Sequence, residues 1–272
     1  MSAYPPSDLT PIDPVVPAAP WVGGKHRLAR HIIPRLQAVP HTCYAEPFIG
    51  MGGIFLRRPW KARAEVINDL STDVVTLFRI LQRHYEPFMD LLRWRLTSRE
   101  EFARLRQALP ETLTDLERAA RFLYVQRLSF GGKVSGQHFG ISRQQPARFD
   151  VTRLASLLEA VHDRLSGVVI ERLPFDDLLS RYDSPATLFY LDPPYFGCED
   201  YYGEGMFERA DFERLAARLA VLKGHFLLSL NDAPEVRAIF SGFAIERVDV
   251  SYSVNPKVAG KRFGELLISP RS

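Results

Sequence analysis

Cysteine is scarce in this sequence: Cys43 and Cys198 are the 2 present in 272 residues. They lie far apart and form no C-x-x-C, so neither a thiolate zinc site nor a disulfide framework is expected. No apolar run is long enough to span a bilayer. The first residues lack a charged start followed by an apolar segment, so no signal peptide is expected either. No internal repeat is visible, and a net charge of only +3 decides nothing about nucleic acid by itself. A soluble cytoplasmic protein is the natural expectation, with room for one large domain or one domain carrying a sizeable insertion.

The stretch that organises the chain is 187–196, Thr-Leu-Phe-Tyr-Leu-Asp-Pro-Pro-Tyr-Phe. Thr187 to Leu191 is a short apolar run of the kind that forms a fully buried parallel strand. Asp192-Pro193-Pro194-Tyr195 stops it, because successive prolines offer no N–H to a ladder. A stiff loop at the carboxyl end of a strand follows, where open α/β sheets hold ligands. Its groups suit a planar heterocycle with an exocyclic amine. Asp192 and a carbonyl of Pro193 or Pro194 can each accept one amine hydrogen, and Tyr195 can stack on the ring. The plainer alternative is a polar turn after a core strand.

Upstream, residues 1–20 are proline-rich and aperiodic and read as a disordered or extended leader. In Trp21-Val22-Gly23-Gly24-Lys25 the glycines let backbone approach a ligand or turn tightly, and Lys25 opens a helix to about Gln37. Thr42 to Glu46 reads as a strand. It feeds Glu46-Pro47-Phe48-Ile49-Gly50-Met51-Gly52-Gly53, a turn expected to enter a helix as the first βα crossing of a Rossmann-like sheet. The spacing is G-x-G-G, not G-x-G-x-x-G, and Glu46 repels phosphate but suits a ligand carrying an ammonium. That moves the reading from a nicotinamide dinucleotide towards S-adenosylmethionine. Glu65 to Asn68 reads as the second strand. Asp69 follows it, about 20 residues after the glycine turn, placed to accept from ribose hydroxyls. It could also cap a helix, with Ser71 and Thr72 competing for that place.

From 71 to 128 apolar residues recur at helical spacing, interrupting the βα alternation with an insertion bounded here as 71–150. Its last part, 129–149, interleaves basic and amide side chains with Phe130, Phe139 and Phe149. Phosphate contact and base-edge readout need that mixture; a mobile surface loop is the alternative. Strands are expected at 168–171 and 225–230, with a closing hairpin of 243–252 and 264–269. Phe175 and Asp176, just past the third strand, are placed for contacts to a ligand adenine, Asp176 serving equally as an N-cap. Residues 255–262 form a basic loop.

Taken in order, W-x-G-G-K at 21–25, E-P-F-x-G-x-G at 46–52, N-D at 68–69, the helical insertion, D-P-P-Y at 192–195 and E-L-L at 265–267 resemble the Dam-type family of S-adenosylmethionine-dependent adenine-N6 DNA methyltransferases. The resemblance implies a Rossmann-like, mostly parallel sheet of seven strands with one antiparallel. The catalytic domain would comprise 21–70 and 151–272, and 71–150 would be the target-recognition region. Trp21 and Lys25, with Gly23 and Gly24, would meet the methionine end of the cofactor. Glu46, Phe48, Gly50 and Gly52 would line its pocket, Asp69 would hold the ribose, and Asp192 would touch both cofactor and target base. Arg127, Phe130, Lys133, Gln137, His138, Lys257 and Arg262 are the candidate DNA contacts. GATC-reading members carry Tyr-Asn-Gly followed by Leu and Arg where this chain has Phe130-Gly131-Gly132-Lys133-Val134-Ser135. That departure bears on GATC specificity and leaves the chemistry untouched. Glu199-Asp200-Tyr201-Tyr202 fits a lid over an extruded base.

The expected reaction is methyl transfer to adenine N6 in duplex DNA by base flipping, with Asp192 ionised at an ordinary low pKa and no metal. Rival readings are a cytosine-N4 methyltransferase, usually Ser-Pro-Pro-Tyr, and an RNA or protein amide methyltransferase, more often Asn-Pro-Pro-Tyr or Phe. A catalytically inactive DNA-binding relative and a nicotinamide dehydrogenase are the others. Whether a restriction endonuclease is a partner is left open by the sequence.

Overall fold

Strand alternation divides the apolar side chains between two cores. Tyr44, Ile67, Leu188 and Tyr190 enter one, while their neighbours Ala45, Val66, Phe189 and Leu191 enter the other, as a period of two requires. The computed structural model describes residues 9–134, 136–140, 144, 146–198, 207–251 and 262–271. Two short strands, β1 (Thr10–Pro11) and β3 (Trp60–Lys61), pair antiparallel. The main sheet runs β5 (Val169–Glu171), β4 (Ala64–Asn68), β2 (Cys43–Glu46), β6 (Thr187–Leu191), β7 (His225–Asn231), β9 (Arg262–Ser269), β8 (Ala244–Ser251). The first five strands pair in parallel, and β9 is antiparallel to both of its neighbours. This is the seven-stranded sheet with one antiparallel strand that the sequence led us to expect. The closing hairpin is β8 with β9.

Helix α1 (Ala29–Gln37) starts one turn later than the expected opening at Lys25. The insertion supplies α2 (Thr72–Arg83), α3 (Tyr85–Arg93), α4 (Arg99–Gln107) and α5 (Asp115–Leu128), the last opened by a Thr114–Glu117 capping box. Phe88, Leu92, Phe102 and Leu123 of these helices share one continuous core with Tyr44 and Ile67 of the sheet. The helical region is therefore built onto one sheet face rather than around a core of its own. Four further helices, α6 (Val151–Arg164), α7 (Phe175–Tyr182), α8 (Arg209–Ala220) and α9 (Pro234–Ile239), complete the layers.

Two local expectations are corrected. The glycine turn after β2 does not enter a regular helix. Gly50 and Gly52 take positive φ of 49° and 75°, a left-handed backbone that a helix cannot contain. Residues 50–57 remain a series of turns closed by bonds such as Leu56 N to Gly52 O at 3.1 Å. The leader is not disordered from Leu9 onward. Its prolines keep it extended, but β1 pairs with β3, Val15 N bonds Leu56 O at 2.8 Å, and Leu9, Ala18 and Ala19 are buried.

A buried ion cluster fixes the sheet's far side. Glu65 on β4 accepts from Arg58 and, through Nη1 and Nη2 at 2.6 and 2.9 Å, from Arg164 on α6. The guanidinium of Arg58 lies 3.5 Å from the Tyr44 ring centre, and that of Arg164 lies 3.9 Å from the centre of Phe55.

Candidate active site

The chain crosses over on either side of β2, so the strand order reverses there and leaves a crevice at the carboxyl ends. A cavity of 620 Å³ occupies it, within the usual range for small-molecule sites. Glu46 reaches it from the end of β2, Asp69 from the end of β4, and Asp192 from the end of β6. Trp21, Gly24, Lys25, Phe48, Gly50, Phe175 and Pro194 also line it. Of the expected cofactor residues, Gly23, Gly52 and Asp176 lie off its walls. Gly23 meets the site through its carbonyl, which accepts from Lys25 Nζ at 3.0 Å. Gly52 faces Leu56 and Phe78. Asp176 sits in the first turn of α7, not at its cap, and pairs with Arg214 at 2.7 Å.

Asp192 is held by a network. Lys25 Nζ lies 2.6 Å from its Oδ1, and Ser229 Oγ donates to the same oxygen at 3.0 Å while meeting the Tyr190 hydroxyl at 2.8 Å. Both contacts fall on Oδ1, which leaves Oδ2 as the acceptor for a ligand. Burial pushes the Asp192 carboxyl above its ordinary pKa, and the Lys25 charge opposes that rise. The expectation of an ordinary low pKa is therefore corrected. Lys25 favours the charged form against that desolvation. Tyr195, expected as a stacking face, has its hydroxyl engaged: it donates to Glu265 Oε2 at 2.6 Å and accepts from Lys25 at 3.0 Å. Its loop partner Pro193 is buried and lies off the cavity wall.

Glu46 is buried, and desolvation raises its pKa to about 8, with Tyr44 OH donating to Oε1 at 2.6 Å. Asp69 takes backbone N–H donors on both oxygens, Gly50 on Oδ2 and Ser71 on Oδ1, each at 2.9 Å. Burial lifts its pKa to about 6 against those bonds. Ser71 is the N-cap of α2, so Asp69 is released from that role. Its neighbour Asn68 stitches three segments, donating to Pro47 O and Leu173 O and accepting from Leu173 N. At this end Phe48 and Phe175 stand 5.8 Å apart, with Phe207 closing the cluster.

The residues expected to touch DNA separate. Phe130 and His138 are exposed, as is Lys133. The Phe130–Gly132 turn is tied to the cavity wall, where Val22 N bonds Gly132 O and Gln126 Nε2 bonds Pro20 O. Gln137 is half-buried and bonds Gln126 and the Lys133 carbonyl. Arg127 turns inward, giving Nη1 to Ala18 O and Nε to Arg148 O. Lys257 and the 199–202 stretch lie outside the described residues, as does the side chain of Arg262 at the start of β9. Among the described residues no cluster of His, Cys, Asp and Glu is arranged for a metal, and no helix is long and apolar enough to cross a membrane.

Sequence reasoning assigned no role to Ser229, Tyr190, Glu265 or Arg57, Glu265 entering only as the first residue of the E-L-L run. The first three act through hydrogen bonds between strands distant in sequence, which no local spacing reveals. Arg57 lies on the turn that was read as helix.

The profile of the D12 class N6 adenine-specific DNA methyltransferases matches residues 21–254. A type II methyltransferase of Lactococcus lactis subsp. cremoris is 26% identical over 273 residues, covering 93% of this chain and 94% of that protein. A type II methyltransferase of Paramecium bursaria Chlorella virus NC1A is 22% identical, covering 87% and 90%. A DNA adenine methylase of Haemophilus influenzae is 25% identical, covering 88% and 87%. With a Rossmann-like sheet and its acidic crevice in place, the chain belongs to the D12 class N6 adenine-specific DNA methyltransferase family, enzymes that pass the methyl group of S-adenosylmethionine to adenine N6 in DNA.

Proposed function

We propose that the 192–195 loop binds a flipped adenine beside S-adenosylmethionine held in the adjoining cavity. The observation that carries this is the convergence of Glu46, Asp69 and Asp192 from three strand ends onto one cavity. The residues fit the cofactor. A Cβ on Gly50 would lie 2.6 Å from Trp21 Nε1, so only glycine lets the indole close that wall. Phe48 and Phe175 offer apolar faces for the adenine, Asp69 an acceptor for ribose hydroxyls, and Glu46 a partner for the ammonium.

S-adenosylmethionine supplies, when bound, a methyl group on an electrophilic sulfonium. The protein prepares the acceptor. Oδ2 of Asp192 and the carbonyl of Pro193 or Pro194 accept the two N6 hydrogens, aim the nitrogen lone pair at the methyl and stabilise the positive charge that develops on N6. The Lys25 charge favours the ionised form of Asp192 for that task. The methylated nitrogen then releases its extra proton to water. Stacking on Tyr195 offsets part of the cost of extruding the base, a few kcal/mol.

The substrate is read as double-stranded DNA, with 71–150 as the target-recognition region and Phe130, Lys133 and His138 its exposed contacts; Lys257 and Arg262 complete the set. We read the location as cytoplasmic. For a partner we read either a restriction endonuclease or none, two relatives being named type II methyltransferases and a third a DNA adenine methylase. Titration of S-adenosylmethionine into wild type, Asp69→Ala and Asp192→Asn tests the placement. Asp69→Ala should weaken binding, while Asp192→Asn should bind and fail to transfer. Unchanged affinity in the first variant, or normal turnover in the second, would refute it.

A further inference from the structure

Lys25 has no donor left for the carboxylate of the methionine end. An ammonium carries three N–H groups, and those of Lys25 meet Asp192 Oδ1, Gly23 O and Tyr195 OH at 2.6, 3.0 and 3.0 Å. The cavity wall offers other cations. Arg214 is paired with Asp176 and Asp211. Arg127 uses Nε and Nη1 on the carbonyls of Arg148 and Ala18, where it holds the packed leader. His26 is exposed.

Arg57 differs from all of these. It is half-buried on the cavity wall, and Nη1 donates to Gly53 O at 2.7 Å, which leaves most of its five N–H groups for a ligand. An ideal Cβ on Gly53 would lie 3.4 Å from Lys25 N and 4.0 Å from Arg57 Nη1, so Gly53 lies between the guanidinium and the Lys25 backbone. Among the described residues no carboxylate forms an ion pair with it. Burial lowers its pKa with no acidic neighbour in opposition. A guanidinium desolvated without a countercharge is costly, and an anionic ligand group removes that cost.

We propose that Arg57 binds the carboxylate of the cofactor's methionine end. The inference rests on reading the cavity as the S-adenosylmethionine site, and it moves Lys25 from cofactor contact to partner of Asp192. Zwitterion recognition is then divided, Glu46 taking the ammonium and the planar fork of Arg57 the carboxylate.

Calorimetric titration of wild type, Arg57→Met and Arg57→Lys with S-adenosylmethionine and with its decarboxylated analogue separates the possibilities, because the second ligand lacks only the carboxylate. Arg57→Met should lose roughly ten- to hundred-fold in affinity for S-adenosylmethionine and under about twofold for the analogue, with Arg57→Lys recovering part of the loss. Wild type should itself prefer S-adenosylmethionine by a similar factor, a readout that survives even if a variant fails to fold. Equal loss for both ligands, or a wild type indifferent to the carboxylate, overturns the proposal. A wild type that binds neither ligand overturns the reading of the cavity itself, and the two failures are distinguishable.

Discussion

The Lys25 ammonium lies 2.6 Å from the Asp192 carboxylate, joining the first helix-turn segment to the loop after β6. Burial raises the Asp192 pKa and Lys25 pulls it down. Replacing Lys25 by Met removes the second effect, so the pKa rises further and the carboxylate is protonated at higher pH. The acid limb of the kcat–pH profile should move to higher pH. An unmoved limb would mean that the ion pair does not control the charge of Asp192.

Glu46 offers a second test of charge. Its folded pKa of about 8 lies above the ordinary value of 4.5, so the native state without ligand holds a proton that the unfolded chain has lost. Between those values stability falls as pH rises, and Asp69, at about 6, adds the same sign over a lower range. A ligand ammonium favours ionised Glu46, so S-adenosylmethionine binding at pH 7 should release protons and cease to do so well above pH 8. Calorimetry in buffers of different ionisation heat measures this. A buffer-independent heat at pH 7 would place the ammonium elsewhere.

The Arg58–Glu65–Arg164 cluster should matter for stability and not for chemistry. Changing Glu65 to Gln leaves two buried guanidiniums without their countercharge, at an expected cost of about 3–5 kcal/mol. Denaturant titration of Glu65→Gln measures it, with kcat of the folded fraction retained. A loss of activity with unchanged stability would contradict the assignment.

The exposed loop and the inward arginine give opposite expectations for DNA binding. Lys133→Ala should weaken binding and reduce the salt slope by about 1. Arg127→Gln should lower thermal stability, because it frees Ala18 and Arg148, and leave that slope unchanged. Salt-dependent DNA titration of both variants decides; equal slopes for wild type and Lys133→Ala would remove this loop from the interface.

Much of this was legible in the sequence where local order carries the signal. The buried run Thr187–Leu191 and its proline stop mark β6 and place Asp192, and the acids closing β2 and β4 mark the rest of the crevice. The glycine turn misled because G-x-G-G looks the same before a helix as before turns held at positive φ. The proline-rich start misled because composition does not show that extended chain can pair with β3 and bury Ala18 and Ala19. Arg127 resembled a DNA contact by charge alone, and only the packed leader explains its inward direction. The Ser229 and Glu265 contacts join strands that meet only in three dimensions.

The central claim is that Asp192 presents an extruded adenine amine to a methyl donor. Incubating the protein with labelled S-adenosylmethionine and duplex DNA of mixed sequence, followed by digestion and mass analysis of the nucleosides, tests it most directly. Wild type should yield N6-methyladenosine as the deoxynucleoside, with Asp192→Asn reduced at least about hundred-fold. Label in N4-methylcytosine, or equal adenine methylation by the two proteins, would contradict it.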